Sequence, residues 1–144
     1  MIYTDMTRRA MRLCYEAHAG QFDKSGIPYV FHPIHLAEQM TDENTVVVAL
    51  LHDVVEDTAY TLEDLKAMGY SEPVLAAIDL MTHEEGVPYM DYVAKISRNP
   101  IARAVKLADL RHNSDLTRLP VIDERALARV RKYQEAIAFL KECE

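Results

Sequence analysis

Cysteine, glycine and proline are scarce in this sequence, at 2, 4 and 6 residues among 144. The two cysteines, Cys14 and Cys143, lie far apart and form neither a disulfide framework nor a zinc-finger spacing. They fit a reducing cytosol. So little Gly and Pro excludes collagen-like and low-complexity chains, and with 49% hydrophobic residues the composition is globular. No apolar run approaches the roughly 18–20 residues that span a bilayer. The N-terminal MIYTDMTRRAMRL lacks the apolar stretch and cleavage pattern of a signal peptide. An excess of positive charge is also missing, since the formal net charge is −7. Such a chain lacks the electrostatic footprint of a general nucleic-acid binder, although a metal or a few basic residues can still receive an anionic small molecule. The expectation is a cytoplasmic protein without membrane or nucleic-acid partners, a single domain over residues 1–144 with one sizeable core.

Strand alternation, Asn-Gly hairpins, internal repeats and linkers are absent too. The apolar spacing is helical. Residues 4–19 place Met6, Ala10, Leu13 and Ala17 on one face, and Gly20 ends the segment. Residues 21–31, with Gly26 and Pro28, read as a loop. His32-Pro33 opens a helix to about Met40, because Pro suits the first helical position. Asp42 and Asn44 offer caps for a helix over about 43–56. Further helices are expected at 61–68, 72–82, 88–98 and 100–117. A last one follows Asp123, with Leu127, Val130, Ile137 and Leu140 as its inward stripe. The fold class is all-α, a compact bundle of about seven or eight helices.

Within the 43–56 helix, ALLHDVVEDT (49–58) sets four ionisable side chains after the apolar Val46-Val47-Val48. At 100° per residue, His52, Asp53, Glu56 and Asp57 fall within a sector of roughly 140°. Three clustered carboxylates repel one another and call for a cation. A divalent metal accepts carboxylate oxygen and neutral imidazole nitrogen together. His32, at a helix start, and Asp109 in KLADLRHN, after an apolar segment, are further candidate ligands.

The order His32-Pro33, His52-Asp53, Asp109 resembles the H…HD…D signature of the HD-domain metal-dependent phosphohydrolases. AHAGQFDKSGIPYVFHP (17–33), ALLHDVVEDT (49–58) and KLADLRHN (106–113) resemble the hydrolase domain of the RelA/SpoT proteins and the small alarmone hydrolases. The likeness covers residues 8–119, leaving a packing helix at about 123–142. It implies a (p)ppGpp 3′-pyrophosphohydrolase that uses a divalent metal, Mn²⁺ foremost. It implies His32, His52, Asp53 and Asp109 as metal ligands and Glu56 and Asp57 as the acids that handle the attacking water. Lys24, Ser25, Tyr29 and Asn113 match positions that meet the nucleotide. The implied partner is a small-molecule nucleotide, with assembly into a homo-oligomer left open. No synthetase segment follows, so alarmone synthesis is not expected.

The sequence also departs from that pattern. Asp23 stands where the family has a basic residue, and an acid there repels phosphate. Leu110-Arg111 inverts the usual order, Leu116 replaces a Thr, and residues 81–93 match poorly. These departures bear on substrate identity more than on metal chemistry. They keep two rivals in view: a phosphomonoesterase acting on another nucleotide or phosphorylated cofactor, and a non-catalytic nucleotide-binding module. The Glu56-Asp57 pair speaks against the second. Among the remaining residues, His18 and His112 read as structural and His35 as packing or solvent-facing. Arg103 and Lys106 read as a solvated face, with phosphate contact as the rival.

Overall fold

The computed structural model describes all 144 residues. Its organising element is a helix with no polar face. Helix α3 (Glu43–Leu51) starts at Asp42, whose side chain accepts from the Thr45 N–H at 2.9 Å. From Thr45 to Leu51 every residue is buried. A helix apolar on all sides belongs inside the bundle. Helices α1 (Asp5–Ala17), α2 (Phe31–Glu38), α6 (Glu72–Met81) and α8 (Pro100–Asn113) pack around it. Three elements complete the inner layer: a single turn α4 (Val54–Asp57), a short α5 (Leu62–Ala67) and α7 (Tyr89–Ser97). Helix α8 is fixed at its start by Asn99, whose side chain accepts from the Ile101 and Ala102 N–H groups at 3.0 Å each, with Pro100 in the first position. After a 3₁₀ turn (Leu116–Arg118), helix α9 (Glu124–Glu142) lies against α7 and α8. The all-α expectation holds: eight helices, the single turn α4, and one isolated antiparallel bridge between Phe22 and Pro28.

Two expectations are corrected. The helix predicted over 43–56 is interrupted at His52-Asp53. The His52 ring nitrogen Nδ1 meets the Ala49 carbonyl at 2.7 Å, so a side chain takes up a carbonyl at the end of α3. The inward face of α9 keeps Leu140 buried and Ile137 half-buried against the core, but departs from the predicted stripe at Leu127. Ala126, Ala136 and Leu140 are buried, whereas Leu127 is 40% exposed. At the start of the helix the small Ala126 takes the inward place instead.

Leu50→Ala, in the centre of α3 and 0% exposed, is expected to cost about 2–5 kcal/mol of unfolding free energy in urea titrations. Leu127→Ala should stay within about 0.5 kcal/mol of wild type in the same measurement.

Candidate metal centre and adjoining cavity

The interruption in the 43–56 segment turns His52 and Asp53 toward the ends of α2 and α8. His32, in the first turn of α2, His52 and Asp109, in α8, are all buried, and one donor atom from each lies within 4.8 Å of the others. The Nε2 atom of His32 is 2.8 Å from Asp109 Oδ1. The Nε2 atom of His52 is 3.7 Å from that oxygen and 3.0 Å from Asp53 Oδ2. Asp53 stands outside this three-residue group and is joined to it through His52. Its Oδ2 also accepts the Tyr29 hydroxyl.

These residues fit a cation. His52 gives its Nδ1–H to the Ala49 carbonyl, so in the neutral ring it is Nε2 that carries the lone pair. That nitrogen is buried without an aligned hydrogen-bond partner, between two carboxylates that can only accept. Metal–ligand bonds of about 2.0–2.2 Å set neighbouring donor atoms roughly 3–4 Å apart, and the donor atoms here lie within 4.8 Å of one another. A buried His/His/Asp group of this kind can bind a divalent metal.

The charges around the group confirm its appetite for positive charge. Burial opposes a charged His52, but Asp53 and Asp109 reverse this and hold its pKa well above the usual imidazole range. Burial would push Asp109 up. Lys106, whose Nζ is 3.0 Å from Asp109 Oδ2, together with His32 and His52, instead holds it well below the usual carboxylate range. Lys106 is thus no part of a solvated face: its side chain is 12% exposed and its ammonium lies 5.3 Å from the Tyr92 ring centre. Arg103 turns away to donate to the Ser97 carbonyl at 2.7 Å. Asn113 donates to Asp109 Oδ1 at 3.0 Å.

Glu56 and Asp57 sit in the α4 turn at the mouth of the group, outside its buried part. Both are solvent-accessible. Protein packed behind them strips part of their water, and Asp53 adds like charge; both effects raise their pKa values. Gln21 donates to the Asp57 carbonyl at 3.1 Å, and its side-chain oxygen meets His18 Nδ1 at 2.8 Å. The buried His18 therefore ties the end of α1 to α4, in keeping with its structural reading.

Beside the metal group lies a cavity of about 290 Å³. Lys24, Ser25, Tyr29 and Asn113 all line it, so the four residues expected at the nucleotide converge on one space. Tyr29 also spans from the cavity to the metal group through its bond to Asp53. Sequence reasoning missed Arg118, Arg129 and Tyr133 on the same wall. The last two belong to the α9 segment read as core packing. Their 3.6-residue recurrence with Ala126 was the available signal.

The structure also resolves the puzzle of Asp23. Its carboxylate accepts from the N–H groups of Ser25 at 2.8 Å and Ile27 at 3.0 Å, and Arg118 lies 3.6 Å away. The acid shapes its own turn, which reverses at Gly26 (φ +78°). The expected repulsion of phosphate is thereby corrected: a guanidinium and two backbone amides already balance this charge. The Ser25 hydroxyl donates to the Arg118 carbonyl and pins the loop to the 3₁₀ turn.

Comparison with known proteins agrees with this geometry. No protein-family model matches the chain. It is 35% identical over 146 residues to a probable GTP pyrophosphokinase of Mycobacterium leprae, covering 92% of this chain and 18% of that protein. It is 36% identical over 112 residues to the guanosine-3′,5′-bis(diphosphate) 3′-pyrophosphohydrolase of Haemophilus influenzae, covering 68% of this chain and 16% of that enzyme. Against the bifunctional (p)ppGpp synthase/hydrolase SpoT of Escherichia coli it is 43% identical over 65 residues, 42% of this chain and 9% of SpoT. The chain thus spans less than a fifth of these relatives. A solved structure described as a metazoan ortholog of SpoT that hydrolyzes ppGpp superposes with a TM-score of 0.75 at 22% identity, over 97% of this chain and 87% of that one. The matching sequence segments, with the same helical fold, support an HD-type domain of the RelA/SpoT kind.

Proposed function

We propose that this single domain, residues 1–144, is a metal-dependent phosphohydrolase that removes the 3′-pyrophosphate of (p)ppGpp. The observation that carries the reading is the direct contact between the two halves of the site. Tyr29 and Asn113 line the cavity and at the same time hold Asp53 and Asp109. Base and sugar in the cavity would bring a phosphate to the His/Asp group. The relatives' names supply the substrate.

His32, His52, Asp53 and Asp109 would hold the metal, with Mn²⁺ the preferred ion. When bound, it would lower the pKa of a water and polarise the phosphoryl group. The chain's own residues do the rest. Lys24 and Arg129 supply positive charge along the cavity, Arg118 is shared with Asp23, and Ser25 keeps its loop in place. Water attacks the phosphorus attached to the ribose 3′-oxygen, and the bond between that phosphorus and O3′ breaks. Glu56 or Asp57 takes the proton from the water, and the pair returns one to O3′. Their raised pKa values suit groups that must both accept and release a proton.

Manganese-loaded wild type should release pyrophosphate from ppGpp, while Asp53→Ala should release none. Glu56→Gln and Asp57→Asn should each lower kcat by about 10²–10⁴. Release of single phosphate from a different nucleotide, with ppGpp untouched, would refute the substrate assignment.

Metal binding also has to displace the proton that Asp53 and Asp109 favour on His52. Mn²⁺ affinity should therefore rise with pH through the neutral range. Calorimetric titrations in buffers of differing ionisation enthalpy should show a proton released on binding.

The acid pair carries a stability cost. A carboxyl whose folded pKa lies above its unfolded value destabilises the fold when ionised, and this cost vanishes once both states are protonated. In metal-free protein, Glu56→Gln should raise Tm at pH 7, and the gain should disappear below about pH 4. An unchanged Tm at pH 7 would contradict the crowding described for Glu56.

A further inference from the structure

Each histidine of the metal group has one ring nitrogen aimed inward and one aimed outward. The outward nitrogen decides whether the inward one is a ligand. A neutral imidazole carries a single N–H, and a nitrogen that keeps the proton cannot coordinate. For His52 the matter is settled by the backbone, because Nδ1 gives its proton to the Ala49 carbonyl at 2.7 Å. The outward nitrogen of His32 meets no carbonyl and no carboxylate. Its Nδ1 faces Nδ1 of His112 at 2.6 Å.

The geometry of that contact is specific. The two ring planes differ by 8° and their centres are 4.9 Å apart. With the nitrogens at 2.6 Å, the centre-to-centre distance is that separation extended by a ring radius at either end. The rings therefore meet edge to edge in nearly one plane, the arrangement of a linear N–H···N hydrogen bond. His112 is itself held in place. Its backbone carbonyl accepts from Arg118 at 2.8 Å, and its ring packs on His35 with centres 4.2 Å apart.

We propose that His112 is a positioning residue for the metal site: it accepts the Nδ1 proton of His32 and so frees His32 Nε2, 2.8 Å from Asp109, to bind the cation. The inference rests on the metal reading above and adds to it a pairing of two imidazoles. The outer partner of a metal-binding histidine is ordinarily a carboxylate, carbonyl or water. Here it is a second imidazole, whose own proton must sit on Nε2. With the proton placed the other way, His112 donates to His32, and His32 Nε2–H points at Asp109 and cannot coordinate. Loading the site with metal therefore fixes the tautomers of both rings.

The test compares metal affinity in the full chain by calorimetry with Mn²⁺ and Zn²⁺. His112→Ala is expected to weaken binding about 10–100-fold, with the Tm of the metal-free protein little changed. His112→Asn, whose side-chain carbonyl can occupy the place of Nδ1, should recover most of that loss. Equal affinity in wild type and His112→Ala, or equal loss in Ala and Asn variants, overturns the proposal and leaves the metal reading intact. No binding by wild type overturns both. A second measurement needs no variant. In zinc-loaded, ¹⁵N-labelled wild type, a coupling across the hydrogen bond should link the two Nδ1 atoms, with the proton on His32. A proton found on His112, or no coupling, refutes the assignment.

Discussion

Three buried side chains that can each offer a lone pair, His32, His52 and Asp109, meet at the junction of α2, α3 and α8 with Asp53 beside His52, and the site depends on a positive charge among them. Lys106 supplies part of it from one side. The remainder falls to a proton or a metal. The fold can hold such a group because its backing is rigid. Helix α3 is buried along its whole inner length, and packing of that density resists the relaxation by which repelling groups would separate. The apolar run that seemed at odds with the charged residues following it is what keeps them in place.

Around this group, every positioning contact also serves a second purpose. Tyr29 joins Asp53 to the cavity, Asn113 joins Asp109 to it, and the break after α3 that frees His52 also fixes its tautomer through Ala49. Shared contacts of this kind give the polar cluster its order, since each group satisfied by two neighbours has few alternative rotamers.

Much of this was legible in the sequence. Helix starts at Thr4, Asp42, Thr61 and Asp123 are local signals, each written by a side chain that caps the chain a few residues on. The order His32, His52-Asp53, Asp109, through its likeness to a known signature, pointed to the three residues that meet, His32, His52 and Asp109. What stayed hidden is of two kinds. Contacts between distant segments leave no local trace, as in Asp23 with Arg118 and His32 with His112. The inward position at the start of α9 was misread because hydrophobicity favours Leu127, whereas Ala126 is the residue buried there.

The placement of α9 has a consequence for how such a domain diverges. Only Ala126, Ala136 and Leu140 of its nineteen residues are buried, yet Arg129, Val130 and Tyr133 form one wall of the cavity. The side chains of the metal group are rooted in the core, whereas part of the cavity wall stands on an outer helix with few buried residues. Selection can thus rewrite this wall at little cost to folding or to the metal group, so that a conserved chemistry is free to acquire new substrates by change at its periphery.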